Sequence, residues 1–147
     1  MISDLEKGFE KVVHSNIAEA AGRYRFPVRI LKLALDMYRA ARRIKCGDAL
    51  CQAAFTEQGV LAGCPIAMGA LCLAILDPMV KFRAAKYEGF QMAKVYVDDF
   101  AISFQFNRNS HSTDLIRMKV ANAYRELEAA IMNQGANFAK GKGKIVA

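Results

Sequence analysis

Two adjacent aspartates interrupt an otherwise apolar run in the second half of the chain. Residues 95–104 read Val-Tyr-Val-Asp-Asp-Phe-Ala-Ile-Ser-Phe, so Asp98 and Asp99 lie among β-branched and aromatic residues that favour a buried strand. Ionised carboxylates are not buried without a partner. The run therefore predicts a hairpin whose tight turn carries both carboxylates to the surface. Because the two charges repel each other, a cation would stabilise the turn, and magnesium prefers such oxygen ligands.

The acidic pair also has a simpler interpretation. Asp-containing turns are common in hairpins that bind nothing, so residues 95–104 alone do not distinguish a metal site from an ordinary turn. The same holds for Asp4, which by itself is typical of a surface acid. The choice between the two interpretations depends on the rest of the chain.

Several segments in series resemble the motifs of one enzyme family. Tyr-Val-Asp-Asp at residues 96–99 resembles the Tyr-x-Asp-Asp box of reverse transcriptases. Asp-Leu-Glu-Lys-Gly-Phe-Glu-Lys-Val-Val-His at residues 4–14 resembles that family's first catalytic motif, Asp-x-x-x-Ala-Phe-Asp-x-Val-x-His. Gly-Val-Leu-Ala-Gly-Cys-Pro-Ile at residues 59–66 is similar to its Gly-Val-x-Gln-Gly-Cys-Pro-Leu box, and residues 135–146 are similar to the motif that follows the aspartates. The order of these motifs and the residues within them most resemble those of non-LTR retrotransposons.

The resemblance implies an RNA-directed DNA polymerase. Its expected fold is the palm of a right-hand polymerase, and residues 1–147 would form one partial palm domain without fingers and thumb. The expected partners are a template-primer, a deoxynucleoside triphosphate, and the fingers and thumb segments of a parent polyprotein.

The resemblance also implies a set of metal ligands. Two magnesium ions, or manganese in their place, would activate a primer hydroxyl and neutralise the leaving pyrophosphate. Asp4 and Asp98 would bridge the ions, Asp99 would assist from a more peripheral position, and the main-chain carbonyl of Leu5 would add an oxygen. Asp4, Asp98 and Asp99 are therefore the expected catalytic residues.

The same resemblance implies that three further parts of the chain contact the nucleotide. Phe9 would lie under the sugar and select deoxyribonucleotides, although a core phenylalanine is an equally good interpretation. The loop of Gly63, Cys64 and Pro65 would let template and nucleotide approach the backbone. Lys142 would supply a proton or a charge to the pyrophosphate, but lysines spaced by glycines also fit a frayed tail.

The charge of the chain suits a polyanionic partner. The formal net charge is +7 and the pI is near 9.4, and many of the basic residues cluster between residues 23 and 45. We expect Arg39, Arg42, Arg43 and Tyr96 to contact nucleic acid, although a solvated basic helix face is the plainer use of these arginines. A non-catalytic nucleic-acid-binding module is therefore the alternative function, and it would gain nothing from surface aspartates.

The chain departs from the family pattern in and just after its central box, and once in its first motif. Ala62 stands where glutamine is usual, Ala67 and Met68 replace a Ser-Pro pair, and Glu10 replaces an aspartate. These changes leave open a decayed retroelement remnant. Together with the missing fingers and thumb, they lead us to expect weak or absent polymerase activity from the chain in isolation.

The elements that position these residues alternate between helices and short hairpins. The sequence predicts a strand stub before Asp4, a helix capped by Ser15, a helix over residues 28–43, a hairpin around Gly47-Asp48, a helix from Ile66 that Pro78 kinks or ends, the acidic hairpin over residues 91–106, and a helix from Ser112 or Thr113 to Gly135. This order predicts an α+β domain, with a small antiparallel sheet and helices packed on one face.

Cysteines and hydropathy bear on the compartment. The four cysteines lack C-x-x-C spacing, so buried free thiols are expected rather than zinc, and the chain is expected inside the cell, in the nucleus or the cytoplasm. Residues 58–76 carry no formal charge and barely reach the length that spans a bilayer. Because Gly59, Gly63 and Pro65 favour a loop before a shorter buried helix, we expect no membrane association.

Overall fold

The structure is a computed structural model that describes residues 2–107, 109–140 and 143–144. It has an α+β fold with a small antiparallel sheet, as predicted. In chain order its elements are β1 (Ile2–Glu6), α1 (Gly8–Lys11), α2 (His14–Arg23), α3 (Val28–Arg39), β2 (Lys45–Cys46), β3 (Ala49–Leu50), α4 (Ala67–Ala84), β4 (Phe90–Tyr96), β5 (Asp99–Phe104), α5 (Thr113–Met132) and β6 (Asn137–Phe138).

The contacts divide the chain into two compact units, which are described separately. The first, here called the sheet unit, comprises residues 1–8 and 75–147. The second, the helical unit, comprises residues 9–74. The single domain expected from chain length stays a prediction.

The sheet unit is built on a four-stranded sheet of order β4-β5-β1-β6, in which each neighbouring pair is antiparallel. The hairpin of β4 and β5 is the predicted acidic hairpin, and Tyr96 pairs with Asp99 across a two-residue turn of Val97 and Asp98. The first strand lies in the middle of the sheet, between the second hairpin strand and the short β6. The N-terminal aspartate thus enters the sheet beside the hairpin.

One face of the sheet carries the core of this unit. Along β1 the side chains of Ser3 and Leu5 are buried, and Phe100 of β5 is buried opposite Ser3. Phe100 meets Phe138 of β6 edge to face, with ring centroids 5.1 Å apart. Tyr124 of α5 stacks on Phe138 at 5.3 Å, so α5 packs on this buried face.

The final helix follows its sequence pattern closely. Ser112 caps α5 by accepting a hydrogen bond from the Leu115 amide, as predicted. The buried stripe of α5 consists of Val120, Ala123, Leu127 and Ile131, at helical spacing. Ile116, which lies at the same helical spacing four residues before Val120, is only half-buried. Gly135 follows the helix at φ +87°, a left-handed conformation that glycine adopts at low cost.

The helical unit packs α2 against α3 and ends in the start of α4. Its buried residues include Ile17, Leu31, Leu35 and Tyr38 from the first two helices, and the β2-β3 hairpin turns at Gly47 as predicted. This hairpin is shorter than expected, with only two residue pairs in register.

Some helix boundaries were predicted wrongly. Helix α2 begins at His14 after Val13, with no side-chain cap, so Ser15 is not its capping residue. Helix α3 ends at Arg39 rather than residue 43, because Ala40 is extended at ψ 143° and Arg42 pairs with Ala54 in a β-bridge. Helix α4 begins at Ala67, close to the predicted start, and continues through Pro78 to Ala84, so Pro78 does not end it and a kink there stays a prediction.

The expectation of buried thiols was also wrong. Cys46, Cys51 and Cys72 are exposed and Cys64 is half-buried. Cys46 pairs across its hairpin with Ala49, so it does not face Cys51. No helix that lies within the described residues is both long and apolar enough to cross a bilayer.

Candidate active site

Strand pairing brings the acidic residues of the two ends of the chain together. Asp4 of β1 is the direct antiparallel partner of Asp99 of β5, and the Leu5 amide donates a hydrogen bond of 2.9 Å to the carbonyl oxygen of Asp98. Directly opposed residues project from the same face of a sheet, with Cβ atoms about 5 Å apart, and opposed like charges destabilise the pair. A cation between these carboxylates would remove that penalty.

A pocket opens beside the acidic turn. Its volume is about 510 Å³ and its lining residues are Asp4, Leu5, Glu6, Lys7, Asp98, Ala139 and Lys140. The carboxylates of β1 and the turn therefore share a cavity with two lysines. The floor of this region is closely packed, because a Cβ placed on Gly8 would lie 3.3 Å from the Leu5 Cβ and 3.7 Å from the Asp98 Cβ.

The donor set of the pocket suits a magnesium ion bound together with a substrate. Within the part of the chain that the structure describes, no group of three or more Asp, Glu, His and Cys side chains is placed to hold a metal ion. Magnesium in nucleotide sites, however, commonly takes only one or two protein carboxylates and completes its shell with phosphates and water. Asp4 and Asp98, both lining the pocket, match that requirement.

The acidic turn has a strained backbone. Val97 has φ +61°, whereas Asp98 does not have a positive φ, and this combination is that of a type II′ hairpin turn. Glycine is the usual first central residue of that turn, and a β-branched side chain is unfavourable there. Tyr96, just before the turn, is 77% exposed. The turn thus holds its aspartate in a fixed place beside an exposed aromatic ring.

In the helical unit, residues 9–12 of the first motif contact the segment of residues 59–66, here called the glycine box. The Gly59 amide donates to the Val12 carbonyl and the Val60 amide to the Phe9 carbonyl, each at 2.7 Å. A Cβ on Gly59, which has φ +85°, would lie 2.9 Å from the Glu10 carbonyl oxygen. Two segments that were matched to separate motifs therefore form one backbone-paired structure, and glycine is required where they meet.

His14 joins the same two segments. Its ring is fully buried, and its Nε2 atom lies 2.7 Å from the Gly59 carbonyl oxygen. Its backbone amide donates to the carbonyl of Glu57 at 3.1 Å. The histidine of the first motif thus helps to position the glycine box, a role that could not be assigned from the sequence.

The loop of Gly63, Cys64 and Pro65 leads into α4. Gly63 has φ +88°, and a Cβ built on it would meet none of the described residues within 4 Å. The approach of template and nucleotide to this loop stays a prediction. Cys64 is half-buried, and Pro65 is exposed. Phe9 is half-buried in α1, which leaves both interpretations of its ring open.

The three arginines have different surroundings. Arg42 donates from its guanidinium to the Tyr38 carbonyl at 2.9 Å, so it helps to hold the end of α3. Arg39 is exposed and lines a cavity of about 460 Å³ with Phe55 and Glu57, and Arg43 is exposed on the extended segment after the helix. Arg39 and Arg43 are therefore the better placed of the three for contact with a polyanion.

The predicted site residues fall into both units. Those of the sheet unit are Asp4, Leu5, Tyr96, Asp98 and Asp99; those of the helical unit are Phe9, Arg39, Arg42, Arg43, Gly63, Cys64 and Pro65. Lys142 lies outside the described residues.

The two basic residues of the pocket were missed from the sequence. Lys140 follows β6, a strand that was not predicted, and Lys7 follows β1 at φ +51°. Lys7 could have been found as the basic residue nearest to Asp4 in the first motif. Lys140 could not, because its place in the pocket depends on pairing of β6 with β1.

Comparison with protein-family models, curated proteins and solved structures finds no match for this chain.

Proposed function

We propose that this chain is the palm of an RNA-directed DNA polymerase of the reverse transcriptase type, and that it transfers a nucleotide from a deoxynucleoside triphosphate to a primer 3′ hydroxyl. One observation carries the proposal. Asp4 and Asp98, which come from two motifs far apart in sequence, line one pocket, and Asp99 is paired with Asp4 in the adjacent strand without lining that pocket. An ordinary acidic turn would not require a third aspartate from another strand.

The surrounding architecture supports the proposal. A small antiparallel sheet presents the carboxylates, and the buried face of that sheet is covered by a helix, which is the arrangement expected of a polymerase palm. The pairing of residues 9–12 with Gly59 and Val60 further supports the motif assignment, because both segments were matched to the same family.

The residues in and beside the pocket would have different roles in nucleotidyl transfer. Asp4 and Asp98 would hold the metal, with Asp99 adding negative charge from the adjacent strand position. When bound, magnesium would promote ionisation of the attacking hydroxyl and stabilise the charge on the leaving pyrophosphate. Lys7 and Lys140 would attract the triphosphate and orient its charged end beside the carboxylates.

Metal binding tests the proposal directly. Mn²⁺ can be titrated into the full chain, with and without a deoxynucleoside triphosphate, and the free ion followed by electron paramagnetic resonance. We expect Asp4→Asn and Asp98→Asn each to weaken nucleotide-dependent binding by about tenfold or more, since each removes an oxygen ligand from the pocket. Asp36→Asn is the matched control, because Asp36 is an exposed aspartate of α3 in the helical unit. Equal binding by all variants would refute the site.

Primer extension tests the reaction itself. With magnesium and a template-primer, we expect weak or no synthesis by the chain alone, and none by Asp98→Asn. Synthesis by Asp98→Asn at the rate of the unsubstituted chain would refute the proposed chemistry. Robust synthesis that depends on Asp98 would instead refute only the expectation of weak activity.

A non-catalytic nucleic-acid-binding module is the second candidate. It is favoured by the net charge of +7 and by the exposure of Arg39 and Arg43. This function predicts binding to nucleic acid that does not change with Asp98→Asn or with magnesium. The polymerase proposal predicts that magnesium strengthens the ternary complex and that the substitution removes this effect.

A further inference from the structure

A cavity in the helical unit combines an aromatic ring with charged groups of both signs. Its volume is about 460 Å³, and we call it the Phe55 cavity. Its lining residues, all of which belong to the helical unit, are Val13, Ser15, Arg39, Phe55, Thr56 and Glu57. A ring, a guanidinium, a carboxylate and two hydroxyls therefore share one opening.

The Phe55 ring is exposed although the backbone on both sides of it is held in place. Its side chain is 74% exposed. On one side, Ala54 exchanges two backbone hydrogen bonds with Arg42, at 2.8 and 2.9 Å; on the other, the Glu57 carbonyl accepts from the His14 amide at 3.1 Å. Single exposed apolar residues are common. This one lies in a cavity between two charged groups, where its ring forms a fixed surface for a flat ligand.

The two charged groups of the cavity are available to a ligand. Among the residues that the structure describes, neither the Arg39 guanidinium nor the Glu57 carboxylate has a hydrogen bond or an ion pair. Both residues are exposed. A guanidinium presents a planar fork of donors that fits a phosphate, and a carboxylate presents two acceptor oxygens. The cavity can therefore contact an anion and a pair of donors at the same time.

The carboxylate selects among flat ligands. A surface that bound only phosphates would be weakened by Glu57, which repels them. Guanine has two neighbouring donors on its Watson–Crick edge, N1–H and the N2 amino group, and these match the two oxygens of one carboxylate. The other bases present one donor beside an acceptor, which a carboxylate oxygen would repel. Because every base can stack on an aromatic ring, Phe55 would supply affinity and Glu57 the preference.

We propose that the Phe55 cavity binds an unpaired guanine of single-stranded nucleic acid. The base stacks on Phe55, its N1–H and N2 amino group donate to the Glu57 carboxylate, and Arg39 donates to a neighbouring phosphate. Arg43 and Lys45, both exposed on the segment after α3, attract the rest of the strand.

This site does not depend on the proposed polymerase chemistry. The carboxylates of that chemistry belong to the sheet unit, and recognition of a base in the Phe55 cavity requires neither magnesium nor a deoxynucleoside triphosphate. Binding is therefore measured in the presence of EDTA, and either proposal can fail while the other stands.

Short single strands give a direct test with the full chain. Fluorescent oligothymidines, about ten nucleotides long, carry a central guanine, adenine, cytosine or thymine, and binding is followed by anisotropy at one salt concentration. We expect the strand with guanine to bind about fivefold tighter or more than the others. A complementary strand should abolish this preference, because cytosine then occupies the same edge. Equal affinity for all four single strands, or a preference that persists in the duplex, would overturn the proposal.

Phe55→Leu tests the stacking. We expect all the single strands to bind about fivefold more weakly or worse, whereas Phe55→Tyr, the matched control, keeps a flat ring and should bind as the unsubstituted protein does. Since Phe55 is exposed, circular dichroism should show that both variants keep the fold. Equal affinities of the leucine and tyrosine variants would rule out a stacking role for the ring.

Glu57→Gln separates recognition of the base from charge. The carboxamide offers one acceptor and one donor, so we expect the preference for guanine to disappear while the affinity for the other strands stays the same or rises. Glu19→Gln is the matched control, because it removes the same charge from an exposed residue of the helical unit and should leave the preference intact. A guanine preference that survives in Glu57→Gln would contradict the assignment of this carboxylate.

Discussion

Val97 has a backbone conformation that its side chain disfavours. At φ +61° it occupies the first central position of the turn that presents Asp98. Strain of this kind costs about 1–3 kcal/mol and persists where the surrounding structure imposes it. Here the pairing of Tyr96 with Asp99 imposes it, and the result is an acidic residue whose backbone is held beside β1.

Replacement of Val97 by glycine should release this strain. Glycine in a strand normally costs about 1 kcal/mol through its greater freedom in the unfolded chain. We therefore expect Val97→Gly to be at least about 1 kcal/mol less destabilising than Val95→Gly, because Val95 lies within β4 and has no positive φ to relieve. Urea unfolding of both variants measures the difference. Equal losses of stability would show that the turn at Val97 carries no strain.

At the residue scale, the aspartates of the acidic turn could be predicted from the sequence, but the lysines of the adjacent pocket could not. Asp98 and Asp99 could be assigned to a turn because burial of an unpaired carboxylate in a strand is too costly. Lys140 could not be assigned to the same pocket, because the two residues of β6 carry no periodic pattern and become a strand only by pairing with Leu5 and Glu6. Tertiary pairing of this kind leaves no local signal.

The contact between the first motif and the glycine box belongs to the scale of elements. Gly59 and Gly63 have nearly the same positive φ, +85° and +88°. A Cβ added to Gly59 would lie 2.9 Å from the Glu10 carbonyl oxygen, whereas one added to Gly63 would meet none of the described residues within 4 Å. The pair therefore separates two effects of an added methyl group: backbone strain at both positions, and a steric clash at Gly59 alone.

Alanine substitutions should reveal the difference. We expect Gly63→Ala to cost about 1 kcal/mol from backbone strain. Gly59→Ala should cost at least about 1 kcal/mol more, because its Cβ would meet a main-chain atom that cannot move without shifting α1. The free energies of unfolding in urea give the comparison. Equal values for the two variants would mean that residues 9–12 do not pair with the glycine box.

A second contact between elements links the turn before β4 to α5. Glu88 accepts hydrogen bonds from Lys119 of α5 and from His111 just before that helix, the latter at 2.7 Å. Lys119, and then His111, lower the pKa of the Glu88 carboxyl below its usual range. The carboxylate therefore stabilises the folded state above the pKa of an unfolded glutamate, about 4.3, and this contribution is lost as the pH falls through the lower folded value.

Removal of the Glu88 charge should thus have a pH-dependent effect. We expect Glu88→Gln to lower the midpoint of thermal unfolding at neutral pH, and we expect the gap from the unsubstituted protein to narrow near about pH 3. Glu19→Gln is the control, because Glu19 forms an exposed pair with Arg23 within α2, and such pairs contribute little. A gap for Glu88→Gln that stays constant with pH would contradict the linkage.

Interactions between elements also explain why some helix boundaries were predicted wrongly. The periodicity of α3 continues past Arg39, but the chain turns extended at Ala40 because Arg42 pairs with Ala54. Helix α4 contains Pro78 in its interior and still continues, so local propensity did not decide its end. In contrast, α5 was predicted well at both ends, because Ser112 and Gly135 are local signals that act through the backbone itself.

At the scale of the whole molecule, the fold class could be predicted and the division into two units could not. Alternating helical and hairpin patterns are sufficient for α+β, since they depend on local sequence. The boundary between units passes between Gly8 and Phe9, within α1, and again between Ala74 and Ile75, within α4. No change of composition marks either position. The consequence for function is that the predicted carboxylates and the predicted arginines belong to different units.

The distribution of positive charge leads to the last prediction. If nucleic acid binds along the exposed arginines of the helical unit, each phosphate contact that is lost should reduce the slope of log K against log salt by about 0.9 for duplex, or about 0.7 for single strands. We therefore expect Arg39→Gln with Arg43→Gln to reduce the magnitude of the slope by about 1.8 on duplex DNA. Arg117→Gln is the matched control, because Arg117 is an exposed arginine of α5 in the sheet unit and pairs only loosely with Asp114, at 3.8 Å. Fluorescence anisotropy at several salt concentrations measures each slope. A reduction of about 0.9 by the control, which is half the effect of the double variant, would mean that binding follows net charge rather than this surface.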